Sequence, residues 1–346
     1  MQIWEAMKSE MNFKNTNSHV YEYGVFAAIK PSMTYSEDLD FSAWQNAARK
    51  KLCELLGLPL TACDACLELE YVKKHDESTE YRFTVQTEPG YFVPCYLLLP
   101  NSVNKPVPLT VCLSGHGGGM HIALGEARCE ADEKSLREWP HRAMGPRAVK
   151  EGRAALIIEA RCFGESSLKG YGTSCTETAK IAILSGRTVI GERVSDAMRI
   201  ISAVLSEFSD ISEEGIMCTG NSGGGTATYY LACLDERIAV AAPSCSVCSY
   251  EKSIAAMTHC MCNHVPSIRR YFEMGDLGGL IAPRRLIVAA GQEDPIFPID
   301  GVKDAYREIE RLYKYAGAPE ACRLLLGDGG HLNYADLIWD AFYEMR

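Results

Sequence analysis

The chain has 346 residues, 47% of them hydrophobic and 23% charged, with a formal net charge of −10. That length and apolar content suffice for one large α/β domain or two ordinary ones with a full core. No Lys/Arg-rich run is present, and binding nucleic acid needs a concentrated basic surface to displace counterions, which argues against such a partner. Residues 1–20, MQIWEAMKSEMNFKNTNSHV, contain neither a basic segment leading into an apolar core nor a small-residue cleavage site. No apolar run reaches the roughly 18 residues that a membrane span requires, so no membrane association is expected. The 15 cysteines are an odd number that would invite scrambled pairing in an oxidising compartment, and the expectation is a cytoplasmic protein.

Along the chain, residues 1–40 carry no clear signal: they could cover a site, form a dimer contact or pack against the rest. In FSAWQNAARKKLCELLG (41–57), Phe41, Trp44, Ala48, Leu52 and Leu55 fall at helical spacing and Gly57 is placed as a C-cap. From Cys66 the period changes, and CLELEYVKK, YRFTVQTE and YFVPCYLLLP read as an antiparallel sheet edge. PLTVCLSG, AALIIEA, GIMCTGN, IAVAAPS, RLIVAAG and CRLLLGD are then short apolar runs separated by helix-like stretches such as TVIGERVSDAMRIISAVLSEF. Strands alternating with helices predict a mostly parallel sheet covered on both faces, in an α/β fold with an N-terminal helical extension. The chain is read as one catalytic domain, with a helical segment over 1–65 packed on a sheet core over 66–346. Ligands of such sheets bind beyond the carboxyl ends of the strands, so the loops after these runs are where chemistry is expected.

One of those loops reads Gly220-Asn221-Ser222-Gly223-Gly224 between a strand and a helix. This is G-x-S-x-G in the strand–turn–helix context that lifts a serine hydroxyl above the sheet, and a side chain at either flanking glycine would collide with a neighbouring element. The competing reading, a phosphate-binding βα turn, lacks both the GxxxxGK[ST] and the GxGxxG pattern. Asp294 follows RLIVAAG and His331 follows the CRLLLGD strand, which gives the chain order Ser…Asp…His of α/β-hydrolases. A serine hydroxyl is a weak nucleophile until a histidine takes its proton, and the carboxylate fixes the imidazole tautomer and stabilises the imidazolium. Ser222, His331 and Asp294 are therefore the expected triad, with Glu251 as the alternative acid. After LTVCLSG come His116-Gly117-Gly118-Gly119. Gly117 and Gly118 are expected to lend one oxyanion donor, and the N–H of Gly223 the other.

Cysteine spacing raises the question of zinc. Cys63/Cys66 and Cys245/Cys248 have CxxC spacing, while Cys260 and Cys262 lie between His259 and His264. Cys63 and Cys66 are remote in sequence and lack knuckle-like turn glycines, so the reading is buried free thiols, with no metal and no organic cofactor.

The chain resembles the acetyl-xylan-esterase-like branch of the α/β-hydrolases, related to dienelactone hydrolases and larger carbohydrate esterases. The resemblance runs from the helix near Trp44 to His331. It rests on LSGHGGGM, EARCFGES, GERVSDAMRII, TGNSGGGTATYYLACLDERIAVAAPSC, HCMCNHVPSI, DLGGLIAPRRLIVAAGQEDPIFPI and GDGGHLNY. It implies the same catalytic roles for Ser222, Asp294 and His331, and it places HCMCNHVP, with His259, Cys260 and Cys262, near the substrate pocket rather than at a metal site. The chain departs from the cephalosporin-deacetylase subgroup, carrying Arg161-Cys162-Phe163 where that group has Arg-Gly-Gln and Leu332 where it has Glu. His116, Arg161, Glu165, His259, Cys260 and Trp139 are the candidate substrate contacts. Arg161 and Glu165 either grip a polar or carboxylate-bearing substrate or brace the loop beneath it, and Trp139 either lines a sugar subsite or packs on a helix. The function expected is a serine carboxylesterase acting on a small acyl ester, such as that of an acetylated carbohydrate or oligosaccharide. The rivals are a serine peptidase of prolyl-oligopeptidase type, which usually carries a gating propeller too large for the N-terminal segment here, and a binding module that keeps the fold without the chemistry. Oligomeric state is left open.

Overall fold

The computed structural model describes residues 16–170 and 172–345. In chain order the elements are α1 (Ser18–Ala28), α2 (Phe41–Leu56), β1 (Leu67–Lys74), β2 (Ser78–Glu88), β3 (Tyr91–Pro100), β4 (Val107–Leu113), α3 (Met120–Leu124), α4 (Glu130–Glu138), α5 (Met144–Lys150) and β5 (Ala154–Ile158). They continue with α6 (Cys175–Leu184), α7 (Val189–Glu207), β6 (Ile211–Asn221), α8 (Gly223–Leu234), β7 (Ile238–Ser244), α9 (Met274–Gly278), β8 (Arg285–Gly291), α10 (Ile299–Tyr315), β9 (Cys322–Gly327) and α11 (Ala335–Glu344). The strands form one sheet in the order β1-β2-β3-β5-β4-β6-β7-β8-β9. Strands β1 to β3 and their junction with β5 are antiparallel, and every pairing from β5 onward is parallel. All the apolar runs picked out in the sequence are strands of this sheet, and the three expected at an antiparallel edge lie there.

The all-apolar runs still sort by period two, because successive side chains of a strand point to opposite faces. Ala154, Leu156 and Ile158 enter the core on one face with α2, α7, α8 and α10, while Ala155 and Ile157 enter the other with α5 and α11. Both faces are thereby covered, as a parallel sheet requires. The outermost strand β1 is almost wholly exposed and carries charged residues, Lys73 and Lys74 among them, that disfavour pairing with another sheet edge.

Helix α2 begins at Asp40, whose carboxylate accepts the Ala43 N–H at 2.7 Å, and ends at Gly57 in the left-handed conformation, φ 76°. Its buried stripe is Trp44, Ala48, Leu52 and Leu56. The described part of the opaque N-terminal stretch packs against residues 250–273. Tyr23 donates its hydroxyl to the Glu251 carbonyl at 3.0 Å, and Ser32 and Met33 donate backbone N–H groups to Arg270 and Tyr271. Residues 1–15 lie outside the described residues. Among the described residues no helix is long and apolar enough to cross a membrane.

Parallel strand order places the carboxyl ends of β4, β6, β7, β8 and β9 side by side, and their following loops converge. Helix α7 reaches this frame through a contact with α2 so close that a Cβ on Gly191 would overlap the Leu56 carbonyl oxygen. Gly191→Ala should therefore cost about 1–3 kcal/mol through overpacking, read as a lowered denaturation midpoint with an unchanged m-value.

Candidate active site

At the end of β6 the backbone turns into α8 with Ser222 at φ 55° and ψ −121°. A non-glycine residue at positive φ stores on the order of 1–3 kcal/mol of strain and persists only where its surroundings enforce it. The glycines show what enforces it. A Cβ at Gly220 would sit 2.5 Å from the Gly224 carbonyl carbon and 2.6 Å from the Leu113 carbonyl oxygen, and one at Gly224 would overlap that same oxygen. The helix start is thus pressed onto the end of β4, and Ser222 takes the one conformation left. Its N–H donates to the Ser244 carbonyl at 2.9 Å, and its own carbonyl accepts the Thr226 N–H at 2.8 Å. Gly223 opens α8, so its N–H has no partner inside the helix and sits at the positive end of the helix dipole.

The loops after β8 and β9 bring the other two members together. His331 Nδ1 lies 2.8 Å from Asp294 Oδ2. The second oxygen, Asp294 Oδ1, accepts the backbone N–H groups of Ile296 at 2.8 Å and Phe297 at 3.1 Å. Burial pushes the Asp294 pKa up, but the His331 contact and the two N–H groups outweigh it and hold the carboxyl below 3.8. The Phe297 ring stacks on the His331 imidazole at 5.7 Å between centroids and 14° between planes. The Glu293 N–H donates to the Gly329 carbonyl at 2.9 Å, stitching the acid loop to the histidine loop. Glu251, the alternative acid, sits elsewhere with its carbonyl engaged by Tyr23, and the carboxylate that meets His331 is Asp294.

Ser222 and His331 line one cavity of ≈ 420 Å³ together with His116, Trp139, His259 and Cys260, four of the six expected substrate contacts. Trp139 follows α4, is 46% exposed and stands at the rim. His259 is held by Asn263, whose side-chain nitrogen lies 3.1 Å from its Nδ1, and its Nε2 is buried without a protein partner. Burial, with the charge of His264 adding to it, lowers its pKa to about 4, so the ring is a neutral wall of the cavity. Ser114 Oγ, Asn221 Oδ1 and Asn333 Oδ1 are likewise buried without partners on residues of the cavity wall.

Two of the six candidate substrate contacts lie off the cavity. Arg161 does not reach the cavity: its guanidinium meets Asp196 at 2.7 and 2.8 Å, Glu88 at 2.7 Å and Glu192 at 3.5 Å, all with largely buried side chains. It braces β2 against α7. Glu165 also lies off the cavity, paired with Arg82 at 2.6 Å and Arg128 at 3.0 Å. In the glycine-rich loop after β4, Gly115 and His116 line the cavity, whereas Gly117 is exposed beside Arg142 and Gly118 is buried against Ile122.

Two supports of this loop escaped the sequence reading. Arg142 Nη2 donates to the Gly117 carbonyl at 3.0 Å, and its other nitrogen reaches Ser135. Glu159 accepts the Met120 and Glu165 N–H groups, each at 3.1 Å, from beneath. Burial raises its pKa to about 7 despite those two donors. Neither residue sits in a recognisable motif. Arg142 is one of many surface-type arginines, and Glu159 ends a strand run as an ordinary polar stop.

A model of the Abhydrolase family matches residues 4–324. The chain belongs to that family. A Bacillus subtilis (strain 168) protein, YtaP, named only provisionally as a hydrolase, is 24% identical over 290 residues, covering 83% of this chain and 94% of its own. Among solved structures, a Bacteroides fragilis NCTC 9343 protein provisionally titled an acetyl xylan esterase superposes with a TM-score of 0.75 at 18% identity, over 92% of this chain and 84% of that one. A glucuronoyl esterase from Solibacter usitatus gives a TM-score of 0.68 at 15% identity, over 92% and 98%. At such identities the solved structures establish a shared α/β-hydrolase fold.

The depressed Asp294 pKa has a defined consequence. A carboxyl whose folded pKa lies below its unfolded one adds stability that is fully present above 3.8 and is lost as pH falls through the folded value. The stability difference between wild type and Asp294→Asn, measured by denaturant titration, should hold level above pH 3.8 and shrink as pH falls from there toward the folded value. A difference independent of pH would place the carboxylate outside the His331 pair.

Proposed function

We propose that this Abhydrolase-family protein is a serine carboxylesterase that cleaves a small acyl ester of a hydroxyl-rich alcohol, such as an acetylated carbohydrate, through an acyl-enzyme. The observation that carries the reading is the convergence at one cavity of a strained Ser222 and a His331 already tethered to a depressed-pKa Asp294. Ser222 Oγ adds to the ester carbonyl as His331 Nε2 takes its proton, and Asp294 holds Nδ1–H and stabilises the imidazolium. The oxyanion faces the Gly223 N–H at the head of α8, with a second donor from the Ser114–Gly118 loop, and each such donor is worth about 2.7–4 kcal/mol. His331 then returns the proton to the leaving alcohol and activates water to release the acyl group.

The polar alcohol is supported by the cavity wall. Ser114, Asn221, His259 and Asn333 each carry a buried polar atom without a protein partner, and desolvated polar atoms of this kind are stabilised by a ligand that hydrogen-bonds them. Trp139 at the rim offers the flat apolar face on which a sugar ring stacks. The esterase titles of the two solved structures point the same way.

On p-nitrophenyl acetate, Ser222→Ala should lose about 10⁶-fold in kcat and Asp294→Asn about 10⁴-fold. Trp139→Ala should raise KM for an acetylated sugar while leaving p-nitrophenyl acetate turnover unchanged. Equal effects of Trp139→Ala on both substrates would remove the carbohydrate part of the proposal, and full activity of Ser222→Ala would remove its mechanism.

A further inference from the structure

Beside the catalytic cavity, three segments far apart in sequence deliver four metal-ligating side chains to one point. His116 comes from the loop after β4, Cys175 from the first residue of α6, and Cys260 and Cys262 from the short segment 260–263. Their ligand atoms all lie within 4.8 Å of one another. His116 Nε2 is 3.3 Å from Cys262 Sγ and 3.8 Å from Cys175 Sγ, and the Cys260 and Cys262 sulfurs are 3.3 Å apart. A tetrahedral zinc with Zn–S near 2.3 Å and Zn–N near 2.0 Å sets ligand atoms roughly 3.5–3.8 Å apart, so these spacings are close to the edges of such a tetrahedron.

We propose that His116, Cys175, Cys260 and Cys262 form a structural Cys₃His site for Zn²⁺ that clamps the loop after β4 to the start of α6 and to the segment 260–263 beside the cavity. The donor set, three soft sulfurs and one imidazole with no carboxylate among them, matches zinc rather than a hard cation. All four coordination positions are filled by protein, which is the pattern of a structural rather than a catalytic zinc.

A second observation concerns charge. Arg193 of α7 is 5% exposed, stacks over the Phe163 ring at 4.2 Å and donates to Cys175 Sγ at 3.4 Å. Its other hydrogen bonds go to the neutral Arg161 carbonyl, its Nη1 is unpartnered, and among the described residues it has no carboxylate within ion-pair distance. A buried guanidinium set against sulfur ligands and lacking a carboxylate partner needs compensating negative charge, since interiors do not tolerate a lone charge cheaply. Zinc binding releases the three thiol protons, and one Zn²⁺ with three thiolates and a neutral imidazole carries a net −1 that Arg193 balances. The clamp reaches the chemistry through His116, whose ring lies directly over Gly223: a Cβ there would sit 2.8 Å from His116 Cε1. The inference does not depend on Ser222 being the nucleophile, because metal content is read independently of turnover.

The test is metal analysis of the full chain purified without chelator, together with Cys175→Ser, Cys262→Ser and a Cys53→Ser control in α2. Wild type and Cys53→Ser should hold about one zinc per chain, and Cys175→Ser and Cys262→Ser well under a tenth of that. Where a cluster variant does not fold, the wild type still decides. Co²⁺ exchanged into it should give the intense visible ligand-field bands of a tetrahedral thiolate site, and Zn²⁺ should protect Cys175, Cys260 and Cys262 from alkylation. Only trace zinc with no Co²⁺ spectrum, a Cys260–Cys262 disulfide found by mass spectrometry, or full zinc retention in both cluster variants would each overturn the proposal.

Discussion

The close approach of three backbones, at the end of β4, the end of β6 and the start of α8, is the constraint on which the rest of the site depends. Gly220 and Gly224 leave no room for a Cβ against Leu113, and that contact forces Ser222 to positive φ and fixes where its hydroxyl emerges. The same contact fixes the loop leaving β4, because a Cβ on Gly115 would meet the Asn221 carbonyl oxygen at 2.5 Å. Ser222 and the glycine-rich loop after β4 are thereby held in register by packing rather than by any one hydrogen bond. The strain is sustained by a sheet whose inner strands are buried on both faces.

Around this rigid centre the charged groups act as braces. Arg161 gathers Asp196, Glu88 and Glu192 beneath the sheet edge, and removing such a partner leaves buried carboxylates uncompensated, an error of about 3–5 kcal/mol. Glu159 and Arg142 hold the glycine-rich loop after β4 from below and from the side. Asp294 does the same for His331, with one oxygen on the imidazole and the other on two backbone N–H groups. Each of these groups is rigid because its polar atoms are already engaged. The cavity wall differs, with several polar atoms left unengaged.

Much of this was legible in the sequence because it obeys local rules. Strand runs, the helix capped at Gly57 and the G-x-S-x-G turn follow from periodicity and from glycine's lack of a Cβ. Ser222, Asp294 and His331 could be named because each ends a strand run, and parallel topology brings such ends together. The two readings of Arg161, substrate contact or brace, stayed open because sequence shows its place after a strand but not that Asp196 and Glu192, one turn apart on α7, aim back at it. The grouping of His116 and Cys175 with Cys260 and Cys262 was invisible for the same reason. Only the C-x-C pair is local, and neither CxxC pair, Cys63/Cys66 nor Cys245/Cys248, belongs to the cluster. Contacts set by chain crossings leave no spacing to read.

The most direct test of the central claim is labelling of the wild-type chain with a serine-directed fluorophosphonate, followed by peptide mass spectrometry. The account predicts a single adduct on Ser222, formed far faster than on any other serine and slowed in Asp294→Asn. An adduct on a different serine, or none on Ser222 in folded protein, would contradict it.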